Sequence, residues 1–178
     1  MTKEEKTNRI VNFEIRLKEY ISMIDEYLNI CLSVPIGKQQ VVADAMAYSV
    51  GAGGKRIRPV LTLEFCRISG GQPETALPFA AAVEMIHSYS LIHDDLPCMD
   101  NDDFRRGKPS CHKAYGEANA LLAGDGLLTM AFYMLTQAEL PPEQIVQAAE
   151  VLSNYAGIVG MIGGQVIDLQ SEGQAIDE

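Results

Sequence analysis

The stretch that decides the fold runs Thr75-Ala-Leu-Pro78-Phe-Ala80-Ala-Ala-Val-Glu84-Met-Ile-His87-Ser-Tyr89-Ser90-Leu-Ile-His93-Asp94-Asp95-Leu-Pro97-Cys-Met-Asp100-Asn-Asp102-Asp103. Its first part is too continuously apolar for a surface helix, so it predicts a buried helix from Ala76 through His93, with Thr75 as N-cap and Pro78 tolerated in the first turn. Pro97 clashes with the turn before it, which ends or distorts the helix between His93 and Leu96. Asp94, Asp95, Asp100, Asp102 and Asp103 therefore crowd just past the end of a buried helix.

Working outward, apolar residues from Ile10 to Cys31 recur at three- and four-residue steps between Lys, Glu and Asp, predicting an amphipathic helix over 3–32 that ends near Pro35. A second helix is expected over 41–50, broken by Gly51, Gly53 and Gly54, and a third from Pro59 to about Ser69. Downstream, residues 98–118 read as a polar loop. Helices follow over 119–140, 142–155 and 158–170, the first two divided by Pro141-Pro142. No stretch alternates with period two, so the fold class is all-α, expected as one domain over 1–178.

The 178 residues carry 14 Lys plus Arg against 24 Asp plus Glu, a net charge of -10. Such a chain is expected to avoid nucleic acid and anionic membranes, and any anionic ligand must meet a local basic patch. Cys31, Cys66, Cys98 and Cys111 form no paired motif, which points to reduced thiols and a cytoplasmic location. The amino terminus is expected to be neither a signal peptide nor a membrane span, the longest uncharged apolar run being the eight residues 76–83.

Crowded carboxylates resist ionisation unless a hard cation such as Mg2+ binds among them; a solvated acidic loop is the plainer alternative. A negative charge at a helix C-terminus opposes the helix dipole, which favours the cation. Asp94 and Asp100 lie about 240° apart on an ideal helix, so they share a metal only if the chain folds back after Pro97. An EF-hand is excluded, because Arg105 and Cys111 stand where its glycine and last glutamate belong. Zinc is disfavoured by the spacing of Cys98, Cys111 and His112.

Two basic clusters complete the pattern. Gly53-Gly54-Lys55-Arg56-Ile57-Arg58-Pro59 places cations on a glycine-rich turn before a helix, a place to hold phosphate oxygens. It is neither a P-loop nor a dinucleotide fingerprint, since Ser49 and Arg56 occupy required positions. Phe104-Arg105-Arg106-Gly107-Lys108 follows the acids directly; these arginines either grip a diphosphate or neutralise the neighbouring aspartates. His87, seven residues before Asp94 and about 10 Å away along the axis, either contacts a second phosphate or is a core histidine.

Taken in order, Gly-Gly-Lys-Arg-Ile-Arg-Pro, then His87 through Asp100, then Arg105-Arg106-Gly, then Gly163-Gly164-Gln165 with Asp168 resemble the trans-type polyprenyl diphosphate synthases, with the bacterial farnesyl diphosphate synthases the nearest likeness. The resemblance runs from about Gln40 to Leu169. It implies an all-α bundle of the isoprenoid synthase type around a central substrate cavity, and a homodimer. The implied activity is a prenyltransferase that joins isopentenyl diphosphate to an allylic diphosphate, dimethylallyl or geranyl, to give farnesyl diphosphate.

By the same likeness Asp94 and Asp100 bind Mg2+, with Asp95 in support. Arg105, Gln165 and Asp168 meet the allylic diphosphate, and Lys55, Arg58, His87 and Arg106 hold isopentenyl diphosphate. Tyr89 and Ser90 limit chain length. The family's second aspartate-rich motif and the lysine before it have no counterpart: the last lysine is Lys113, and Asp125, Asp168 and Asp177 are never paired. The chain is therefore expected to be the amino-terminal part of a longer synthase, inactive alone; the alternative is a non-catalytic subunit that binds diphosphate or a partner chain.

Overall fold

The computed structural model describes residues 3–33 and 36–173, with side chains from residue 11 onward. They form two units divided at Ala138 and Glu139. The expected stop near Pro35 and the last aspartate, Asp177, lie outside the described residues.

The first unit begins with α1 (Lys3–Leu32) and α2 (Gln40–Val50). Tyr20, Ile24 and Leu28, one helical turn apart, turn the inner face of α1 into the core. Helix α3 (Ile57–Ile68) starts two residues before Pro59, which sits in the first turn where a missing N–H breaks no bond. Helix α4 (Leu77–Asp94) is the axis of the unit, and Ala81, Met85, Ser88 and Ile92 form one of its buried stripes. It packs most extensively on α6 (Glu117–Leu135), whose Ala120, Ala123, Leu127, Ala131 and Met134 form a buried stripe of matching periodicity. Small residues on both stripes bring the two backbones close. Gly124 shows how close: a Cβ there would stand 2.1 Å from Nε2 of His93 on α4.

Two expectations are corrected here. Thr75 does not cap α4: a short 3-10 turn, Pro73–Ala76, precedes the helix, and the Thr75 hydroxyl donates to the Gln72 carbonyl at 2.8 Å. Nor is 98–118 a plain loop. It holds a hairpin, β1 (Phe104–Arg105) against β2 (Lys108–Pro109), and a short helix, α5 (Cys111–Tyr115). Arg106 and Gly107 form the two-residue turn with φ of 54° and 78°, the left-handed pair that a tight antiparallel hairpin requires.

The second unit is α7 (Pro142–Ala156) followed by α8 (Met161–Ser171). By length and composition alone, α6 and the stretch Pro142–Ser171 would each pass for a membrane span. In α6 that apolarity forms the core stripe.

Candidate functional site

The glycine-rich turn between α2 and α3 bends through Gly53, Gly54 and Arg56 at φ of 90°, 138° and 50°. Glycine suits the first two; Arg56 accepts the third under the hold of its own side chain. Its guanidinium is buried and bonds Asp25 through Nε at 2.8 Å, Glu84 through Nη1 at 2.6 Å and the Val50 carbonyl through Nη2 at 2.8 Å. Burial opposes the charge, and the bonds to Asp25 and Glu84 outweigh it and hold Arg56 protonated. Lys55 and Arg58, on either side, stay exposed.

Arg106, carried by the hairpin turn, reaches the same place. A Cβ on Gly54 would lie 2.6 Å from Nη1 of Arg106, so the absent side chain is what lets the guanidinium lie against the turn. Together Lys55, Arg56, Arg58, Glu84, His87 and Arg106 line an open cavity of about 620 Å³. It supplies the local basic patch that an acidic chain needs to hold an anion. His87 is pushed down to about 4, first by burial and then by the fields of Arg58, Arg106, Arg56 and Arg105. Its imidazole is neutral at pH 7.

At the acidic end the chain does fold back. The Asp100 amide donates to the Asp94 carbonyl at 2.9 Å, and the Met99 and Asn101 amides both donate to Leu96, at 2.8 and 3.1 Å. Asp95, the C-cap of α4, is buried and grips Arg105, whose Nε reaches Oδ1 at 3.0 Å and whose Nη2 contacts the same oxygen. Arg105 also reaches Asp102 at 3.4 Å. The hydrogen bond to Asp95 holds the guanidinium firmly protonated. The neutralising alternative thus describes Arg105, which pairs with neighbouring aspartates, but not Arg106, which lies against Gly54.

Among the described residues no three His, Cys, Asp or Glu side chains form a ready metal cage. The donors are hard carboxylate oxygens on a chain reversal, which suits Mg2+: that ion takes one or two carboxylates and completes its shell with phosphate oxygens and water.

Tyr89 is buried, its ring edge-on to His93 at 5.7 Å between centroids, and its hydroxyl has no hydrogen-bond partner among the described residues. Ser90 bonds back to the His87 carbonyl at 2.9 Å. Gln165 and Asp168 lie three residues apart on α8 of the second unit. Sequence reasoning missed Glu84 and Asp25. Glu84 had a signal, as the only charged residue between Ala76 and Ile92; Asp25, one acidic residue among many on α1, had none.

A sequence model described as polyprenyl synthetase matches residues 39–178. A farnesyl diphosphate synthase from Geobacillus stearothermophilus is 56% identical over 135 residues, covering 74% of this chain and 46% of its own length. A heterodimeric geranylgeranyl pyrophosphate synthase large subunit from Arabidopsis thaliana is 46% identical over 169 residues, 94% of this chain and 45% of its own. Among solved structures, an FPP/GFPP synthase from Zymomonas mobilis superposes with a TM-score of 0.89 at 40% identity, over 94% of this chain and 61% of that one. The chain spans about half the length of the curated relatives it matches. With the basic turn, the acidic reversal and the arginine hairpin all falling within the matched residues, the chain belongs to the polyprenyl synthetase family.

Proposed function

We propose that this chain is the diphosphate-binding, amino-terminal part of a short-chain prenyl diphosphate synthase that joins isopentenyl diphosphate to dimethylallyl or geranyl diphosphate, with farnesyl diphosphate as product. The observation that carries this reading is the convergence of Lys55, Arg58, Arg106 and His87 on one cavity, with Arg106 next in the chain to Arg105, which Asp95 holds.

Lys55, Arg58 and Arg106 hold the oxygens of isopentenyl diphosphate through charge-assisted hydrogen bonds. His87, neutral before binding, offers a ring N–H to the same group. Arg105, fixed by Asp95 through Nε and Nη2, keeps Nη1 for the allylic diphosphate. Asp94 and Asp100 would hold Mg2+, which would supply Lewis-acid stabilisation of the departing diphosphate. Tyr89 with Ser90 limits tail length. The working unit is a homodimer.

Calorimetric titration of the chain with pyrophosphate, with and without Mg2+, tests the binding reading. Absence of binding in both would reject it. A turnover assay with Mg2+ and both diphosphates separates the enzyme from the second reading, a subunit that binds without turning over.

A further inference from the structure

We propose that Arg56 is a positioning residue for the diphosphate cavity, setting where Lys55 and Arg58 present their charges without itself touching the ligand; this rests on the binding reading above.

Three observations carry it. Arg56 stands between the two exposed cations in sequence, yet only 5% of its side chain is accessible, with its donors committed to Asp25 on α1, Glu84 on α4 and Val50 at the end of α2. One planar fork thus pins the turn to three separate helices, a geometry that the single ammonium of lysine cannot reproduce. Second, its backbone is left-handed at φ 50° and ψ 30°, unfavourable for a side chain with a Cβ. That conformation follows two positive-φ glycines, so the path of the turn is determined by what the arginine is anchored to. Third, Glu84 lines the cavity and lies one helical turn before His87. The Arg56–Glu84 pair therefore connects the exposed rim, Lys55 and Arg58, to the helix wall that carries His87.

A purely structural ion pair would affect stability alone. Replacing the buried pair with apolar residues of similar length removes its charges together, which is often neutral for stability, whereas removing one partner strands a buried charge. The double variant Arg56→Met/Glu84→Met separates anchoring from folding on that basis.

The test titrates the 178-residue chain with inorganic pyrophosphate, first without and then with Mg2+, beside melting curves. The double variant should melt close to wild type, bind pyrophosphate without Mg2+ about tenfold more weakly, and keep the added affinity that Mg2+ brings at the aspartate reversal. Arg56→Lys should fold and lose several-fold in Mg2+-independent affinity, while Lys38→Ala, far along the chain and exposed, should bind as wild type.

Equal Mg2+-independent affinity in wild type and either folded variant overturns the proposal. So does a loss that falls equally on the Mg2+-dependent increment, which would mean general disruption. If the wild-type chain binds no pyrophosphate at all, the cavity reading itself fails and takes the Arg56 proposal with it, a result distinct from failure of the variants alone.

Discussion

The backbone amide of Asp100 donates to the backbone carbonyl of Asp94 across 2.9 Å, so residues that an ideal helix would put on different faces are held at one chain reversal. Pro97 ends the helical ladder that would have kept them apart. Two carboxylates at such a reversal, with no third donor forming a cage among the described residues, leave most of an octahedral shell to be filled by ligand and water. Mg2+ is therefore expected to bind weakly alone and more tightly with pyrophosphate present. Asp94→Asn should abolish that synergy. Calorimetry that finds equal pyrophosphate affinity with and without Mg2+ in the wild type would remove the metal from this reading.

His87 makes binding dependent on pH. Burial and the surrounding guanidinium groups hold it at about 4 against an ordinary 6.5. A bound diphosphate offsets the fields of Arg58, Arg106, Arg56 and Arg105, so its pKa should rise. Near pH 5 the complex should then take up a proton, and near pH 8 it should take up none. Titrations in buffers of different ionisation enthalpy would show this as a buffer-dependent heat at the lower pH only. In the absence of ligand the sign for stability is the reverse of a salt-bridged histidine. The unfolded chain binds the proton more readily, so the stability gained by keeping His87 neutral is present above about pH 6.5 and is lost as pH falls towards 4. Melting of His87→Gln should lose less on acidification than melting of the wild type.

Gly54 should behave as a ligand-binding position although it has no side chain. Alanine there must adopt φ 138° and place its Cβ 2.6 Å from Nη1 of Arg106, so the guanidinium has to move. Arg106→Ala is expected to weaken pyrophosphate binding by about 1.5–3 kcal/mol, the range for a charged hydrogen bond, and Gly54→Ala by a comparable amount. The double variant should be little worse than either single one. Additive losses would mean that Gly54 acts through something other than Arg106.

The helical elements were legible because their apolar periodicity is long and their breakers are Gly and Pro. Residues 3–32 are read as a helix from spacing alone, and α1 has those bounds. The hairpin at 104–109 escaped for a physical reason. Its turn carries Arg106 in a conformation usually given to Asn, Asp or Gly, and strands of two residues are too short to show alternation. The site residues were named because charge clusters stand out in sequence, and the family likeness divided them between the two diphosphates, but the anchoring role of Arg56 was not legible. Which of Lys55, Arg56 and Arg58 turns inward depends on Asp25 and Glu84, partners 31 and 28 residues from Arg56.

Assembly can be separated from folding on α6. On that helix Leu127, Met134 and Leu135 are buried in the core, whereas Leu121 and Leu122 are exposed. Leu127→Ala should cost about 2–5 kcal/mol and lower the melting temperature sharply. Leu122→Ser should leave melting of the dilute chain nearly unchanged and weaken self-association. Sedimentation velocity over a range of concentrations checks this: a wild type that stays monomeric throughout would exclude the homodimer for this chain.

Tyr89 offers a separation of ring from hydroxyl. Its side chain is buried, edge-on to His93, and the hydroxyl is without a hydrogen-bond partner among the described residues. An unpartnered buried hydroxyl carries a desolvation cost of about 1–3 kcal/mol that phenylalanine would not. Tyr89→Phe should therefore melt at the same temperature as wild type or higher. If the ring's bulk limits the prenyl tail, that variant should also leave product length unchanged in a turnover-competent synthase carrying this segment. Tyr89→Ala opens space instead, removing the overlap that would cost a longer tail about 1–3 kcal/mol, and should shift products from fifteen carbons towards twenty or more. Chromatography of the dephosphorylated products distinguishes the two variants. Should Tyr89→Ala still stop at the wild-type length, the ring does not form the floor of the pocket, and the limit lies with another residue.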